Sequence, residues 1–126
     1  MKTVDIGRLG EKVAARYLRK NGYKISEMNI HASHNEIDII ATNKDYVVFV
    51  EVKARHTDAT LQSYFGSPAS AVTFAKQKRT IDAARQVLSS GKYSMLQPRF
   101  DVIEVYLDKT NNKVLNINHI SNAFGA

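Results

Sequence analysis

The sequence predicts an α/β domain: a central mixed β-sheet flanked by helices, in the order α-β-β-β-α-β(-β). Three observations carry this. Apolar residues recur at helical spacing over residues 6–21 and again over 70–89. Two apolar runs, Glu36-Ile-Asp38-Ile-Ile-Ala and Tyr46-Val-Val-Phe-Val-Glu51-Val-Lys53-Ala-Arg55, are joined by the polar turn Thr42-Asn43-Lys44-Asp45, which reads as a β-hairpin. A β-former-rich run, Arg99 to Leu107, follows the second helix. Helices separated by runs of strands fit helices packed on a sheet.

The first helix opens at Asp5, a good N-cap, and stops at Gly22. Its stripe is Ile6, Leu9, Val13 and Tyr17, widened by Ala14 and Leu18. Residues 23–30 read as a first strand and 31–35 as a polar turn. The hairpin supplies the next two strands. Residues 54–67 are polar and end in Gly66-Ser67-Pro68, which reads as a mobile loop. The second helix, 70–89, has the stripe Ala71, Phe74, Ile81, Ala84 and Leu88, with Pro68 before it and Gly91 after it. Residues 92–98 form a loop, 99–107 a strand, 108–112 a turn and 114–120 a closing strand; 121–126 are expected to fray. No repeat or linker divides the chain, so residues 1–126 are read as one domain.

At 126 residues the chain can bury roughly two-thirds of its unfolded surface. It has no apolar run near the ~20 residues that cross a bilayer, and no signal-peptide pattern. Without cysteine, disulfides and thiolate metal sites are excluded, and a cytoplasmic location is the expectation. The net charge of +6 favours a polyanionic partner.

The chemistry concentrates in the hairpin. Side chains alternate along a strand, so Glu36 and Asp38 share a face, as do Phe49, Glu51 and Lys53. A charged pair at the end of a buried strand needs a partner or a use. Asp38 beside Glu51 would set two carboxylates against each other, a conflict a divalent cation removes. Hard oxygen ligands suit Mg²⁺ or Mn²⁺, and Lys53 adds a positive charge nearby. Arg55 is the best placed residue of the following segment to contact a phosphate. His31 and His34 lack further ligands at zinc spacing. The plain alternative for Asp38, Glu51 and Lys53 is a salt-bridge cluster at a sheet edge. For Glu11 it is a solvated acid paired one turn away.

The order of these residues resembles a known pattern. Asp38 with Glu51-Val52-Lys53 is similar to the PD-(D/E)XK nuclease motif. Gly10-Glu11, Gly22-Tyr23, Glu36-Ile-Asp38, Phe49-Val-Glu51-Val-Lys53-Ala-Arg55, Gly66-Ser-Pro68, Lys76-Gln77 and Arg99-Phe-Asp101-Val together resemble the YraN family of uncharacterised, endonuclease-like proteins. More distantly they resemble archaeal Holliday junction resolvases. The resemblance implies a restriction-endonuclease-like core. It also implies a metal site of Asp38 and Glu51 with Glu11, assisted by Glu36 and the Val52 carbonyl, and Lys53 as the third catalytic residue. It marks Lys76 and Gln77 as substrate-facing and allows a homodimer; it marks Arg99 and Asp101 without a chemical role, and Arg99 is read as a nucleic-acid contact, with a simple pair between the two, which share a strand face, as the alternative. Where the family has glycine before Glu36, this chain has Asn35, which tolerates positive φ. The expected activity is Mg²⁺-dependent hydrolysis of nucleic acid, DNA rather than RNA, selected by structure. The alternative is a nucleic-acid-binding module that keeps the fold without cutting.

Overall fold

The computed structural model describes residues 5–58 and 72–125. Seven elements follow in order: α1 (Ile6–Lys20), β1 (Lys24–Ala32), β2 (Asn35–Thr42), β3 (Tyr46–Thr57), α2 (Phe74–Leu88), β4 (Gln97–Asp108) and β5 (Val114–Phe124). The strands form one five-stranded sheet in the order β1-β2-β3-β4-β5. Only β3 and β4 are parallel, and the connection between them carries α2; the other neighbours are antiparallel. This is the mixed α/β architecture the sequence predicts.

The helices lie on opposite faces of the sheet. On one face Ala14, Ala15 and Leu18 of α1 pack on Ile39, Ala41, Val48, Val50, Ile103 and Val105. On the other, Ala83 and Ala84 of α2 pack on Ile40, Val47, Phe49 and Phe100. β3 is apolar on both sides because both sides are covered. α1 is capped by the Asp5 carboxylate, which accepts from the Arg8 N–H at 3.1 Å, and stops before Gly22 at φ 90°. Gly10 lets α1 approach β3: a Cβ there would lie 2.6 Å from that of Ala54.

Several expectations need correction. Residues 121–124 do not fray but complete β5, because the Asn122 N–H donates to the Asp101 carboxylate at 2.9 Å and Phe124 stacks on Phe100 at 5.2 Å. Residues 54–57 extend β3; the rest of the expected loop, including Gly66-Ser67-Pro68, lies outside the described residues, as do Ser70 and Ala71. α2 begins at Phe74 with Thr73 as its N-cap, and Phe74 is 81% exposed, not part of the buried stripe. Positive φ falls on Ser33 (50°) and His34 (61°), the two central residues of the β1–β2 turn, and not on Asn35.

Strand alternation breaks at Asp38. Ile37 packs in the cluster under α2, yet Ile39, two residues on, packs under α1. On β1 the same change separates Ile30 from Met28, and Asn29 between them has φ 53°. Pairing of β2 with β3 ends at Ile39–Val50. From Asp38 toward its start β2 is therefore reoriented, and the ladder to β3 stops.

Candidate active site

The break in the sheet builds the site. Beyond Val50 the β3 backbone loses its β2 partner, and the Asp38 side chain takes its place: Asp38 Oδ2 accepts from the Val52 N–H at 2.8 Å. That bond fixes Asp38 beside the strand that carries Glu51 and Lys53. Among the described residues, one group of three acidic side chains could hold a cation. Glu11, Glu36 and Asp38 each offer a carboxylate oxygen, all within 4.8 Å of one another. Ligands at about 2.1 Å from one hard cation span at most about 4.2 Å, so small side-chain movements would close the set.

Electrostatics at Asp38 fit that donor set. Burial and the repulsion of Glu51 push its carboxyl up to about 7, with a smaller contribution from Glu11. The Val52 N–H and the Lys76 ammonium oppose the rise without cancelling it. Burial and the neighbouring acids thus disfavour a bare carboxylate at Asp38. Glu11 comes from α1 and Lys76 from α2, on opposite faces of the sheet; both act on Asp38 because the sheet is open between them.

Glu51 is buried, with 7% of its side chain exposed. One of its oxygens, Oε1, lies 3.4 Å from Lys53 Nζ and 3.8 Å from Lys76 Nζ. Both lysines keep about a third of their surface in solvent. Lys76 is in the first turn of α2, where its N–H donates to the Thr73 cap. So the described site contains acids on one side and two ammonium groups on the other. Such an arrangement can hold a hard cation and meet an anionic oxygen next to it.

Of the residues singled out from sequence, the structure brings together Asp38, Glu51, Lys53, Glu11, Glu36 and Lys76. Glu11 also pairs with Arg8 at 3.4 Å, so the bland reading and the site reading hold at once. Arg55 lies further along β3, 3.7 Å from Glu104. Gln77 turns its amide to the Val72 carbonyl at 3.2 Å, bracing the start of α2.

Arg99 stands apart from the site. It shares with Asp101 the face of the sheet under α1, and its guanidinium forks onto the Asp101 carboxylate at 2.9 and 2.7 Å. It donates to the Tyr23 hydroxyl at 2.6 Å and lies over the Tyr23 and Tyr46 rings. With 14% of its side chain exposed, its guanidinium is committed to Asp101 and Tyr23 rather than to the acidic cluster. Asp101 also takes a hydrogen bond from His119 Nε2 at 2.7 Å, and His119 Nδ1 is hydrogen-bonded with the Tyr17 hydroxyl at 3.0 Å. Burial would raise the Asp101 carboxyl, but His119, Arg99 and the Asn122 N–H hold it below its ordinary range. The sequence offers the Arg99–Asp101 pair, since a strand places i and i+2 on one face; it does not announce Tyr23, His119 and Tyr17 as the pair's further partners, nor the buried Glu104.

The sequence model of the uncharacterised protein family UPF0102 matches residues 10–105. A UPF0102 protein of Caldanaerobacter subterraneus subsp. tengcongensis is 45% identical over 127 residues, covering 98% of this chain and all of the relative. One from Clostridium botulinum strain Loch Maree is 40% identical over 121 residues, covering 95% of this chain and 94% of the relative. These matches bear out the YraN resemblance. Among the described residues, no helix is long and apolar enough to cross a membrane.

Proposed function

The chain belongs to the uncharacterised protein family UPF0102, and from the acidic opening in its sheet we propose that it is a divalent-cation-dependent endonuclease acting on nucleic acid. The observation that carries the reading is the convergence of Glu11, Glu36 and Asp38 within 4.8 Å, beside a Glu51 that faces two lysines. Asp38 and Glu51, with Glu11 and Glu36, would hold Mg²⁺ or Mn²⁺. When bound, the cation supplies an activated water and neutralises charge on the scissile phosphate. The chain's own residues do the rest. The Val52 N–H keeps Asp38 aimed at the site. Glu51 holds the Lys53 and Lys76 ammonium groups near its Oε1. Lys53 faces the phosphate oxygens as charge develops, and Lys76 anchors the backbone next to it. Such contacts read phosphates rather than bases, which supports selection by nucleic-acid structure, with branched DNA the first substrate to try.

The test is cleavage of branched, flapped and single-stranded DNA and RNA with Mn²⁺ or Mg²⁺. Cleavage by the wild type that disappears in both Glu51→Ala and Lys53→Ala is the expected outcome. Salt-sensitive binding that never proceeds to cutting under any of these conditions would leave a binding module instead.

A further inference from the structure

β4 buries an acid that the proposed chemistry does not use. Glu104 is 1% exposed, on the face of β4 opposite the one that carries Ile103, Val105 and Leu107. A buried carboxylate in such surroundings needs partners. Among the described residues it has three: the Asn118 amide donates to Oε1 at 3.1 Å, the Tyr106 hydroxyl hydrogen-bonds it, and Arg55 Nε lies 3.7 Å from Oε2. The first two hold the carboxylate still. The third is different in kind, because Arg55 keeps 47% of its side chain in solvent. A fixed, buried anion thus engages the inner edge of a guanidinium whose exposure leaves donors for something outside.

Position gives that something a chemistry. Glu51, Lys53 and Arg55 occupy alternate positions of β3 and so project from one face, in steps of about 6.6 Å. In the parallel register Glu104 stands opposite Lys53, yet its ion pair runs diagonally to Arg55, while Lys53 turns to Glu51. The two basic residues are therefore tethered separately, one beside the acidic cluster and one a step further along the strand.

Resting on the nuclease reading of the cluster, we propose that Arg55 is a second phosphate subsite, taking the backbone phosphate next to the one that meets Lys53, and that Glu104 is its positioning residue. Arg55 suits this role better than a lysine would, since its planar fork can face Glu104 with Nε and a phosphate with its Nη atoms at once.

The two variants Glu104→Gln and Arg55→Lys separate positioning from plain charge. Measured with a fluorescent single-stranded oligonucleotide in Ca²⁺, removing the Glu104 charge should strengthen polyanion binding if only net charge matters. The proposal expects the opposite: binding several-fold weaker for Glu104→Gln and for Arg55→Lys. It expects the log Kobs against log[salt] slope to fall by about 0.7 for Arg55→Ala, one phosphate contact on a single strand. The double variant Glu104→Gln/Arg55→Ala should bind no worse than Arg55→Ala alone. Wild-type affinity in Arg55→Lys, or unchanged or tighter binding by a folded Glu104→Gln, overturns the subsite even if the wild type cleaves. A wild type that binds no oligonucleotide overturns the nuclease reading together with it.

Discussion

Asp38→Asn should make the protein more stable while removing its capacity for a cation. The Asp38 carboxyl is pushed up to about 7 from an ordinary 3.8 by burial and by Glu51. The native state therefore holds a proton that the unfolded chain has released across that window. Stability due to the protonated form is complete below pH 3.8 and is lost as pH rises through 7. A difference of about 3 pH units at about 1.4 kcal/mol each sets an upper bound of about 4 kcal/mol. The site is partly open, and solvent screening reduces this to about 1–3 kcal/mol. Asparagine keeps an oxygen to accept the Val52 N–H and carries no charge at any pH, so it should recover that amount. For a domain of this size that is a rise in Tm of about 3–9 °C at pH 8 without divalent cation. At pH 3 the two proteins should melt within about a degree of each other, since Asp38 is then largely protonated in both states. Adding Mn²⁺ at pH 8 should raise the wild-type Tm, by the equivalent of about 2.7 kcal/mol at one hundred times Kd, and leave the variant where it was. Thermal melts at the two pH values, with EDTA and with Mn²⁺, make the measurement. A variant that melts at or below the wild type at pH 8, or by the same margin at both pH values, would refute the argument that Asp38 is held against its charge.

Two further outcomes test the scaffold. Gly10→Ala should cost about 1–3 kcal/mol in urea unfolding, despite alanine's better helix propensity, because the new methyl meets Ala54 at 2.6 Å and α1 must move off β3. Asp101→Ala should cost about 3–5 kcal/mol by leaving Arg99 buried without its partner, and Mn²⁺ affinity of the folded fraction, read by calorimetry, should stay at the wild-type value.

Most of the framework was legible because periodicity reports burial. The stripe of α1 and the two-sided apolar run of β3 each have one structural solution, and the structure has it. α2 was placed well in its middle and poorly at its start: Phe74 falls on the helical period, but it sits in the first turn, where the sheet no longer lies beneath it. β5 was cut short because Ser121 and Asn122 look like chain-end residues, whereas a buried acid on β4 supplies the acceptor that keeps Asn122 in the strand. The acidic residues of the site were legible as types and spacing. Their means of meeting was not. Ile37, Ile39 and Ile40 are equally apolar, so nothing in β2 itself announces that alternation slips at Asp38. The trace lies on the neighbouring strand, in Asn29, an asparagine able to take φ 53° inside an otherwise regular run.

Asp38 and Asp101 are held in opposite ways. Both are aspartates on adjoining parts of one sheet, and burial raises the carboxyl of each. Asp101 receives four hydrogen bonds, two from Arg99 and one each from His119 and the Asn122 backbone, and ends below its ordinary range. Asp38 receives one among the described residues, from Val52, and faces Glu51 and Glu11 instead of a guanidinium. The fold is thus able to satisfy a buried acid fully and does so where the acid is structural. At Asp38 it sets acids against each other and places its nearest cations, Lys53 and Lys76, on Glu51. A protein selected only for stability gains nothing from that arrangement, since a neutral side chain would serve better. A cation drawn into the cluster would relieve it, and the same charge would then be available to an incoming phosphate.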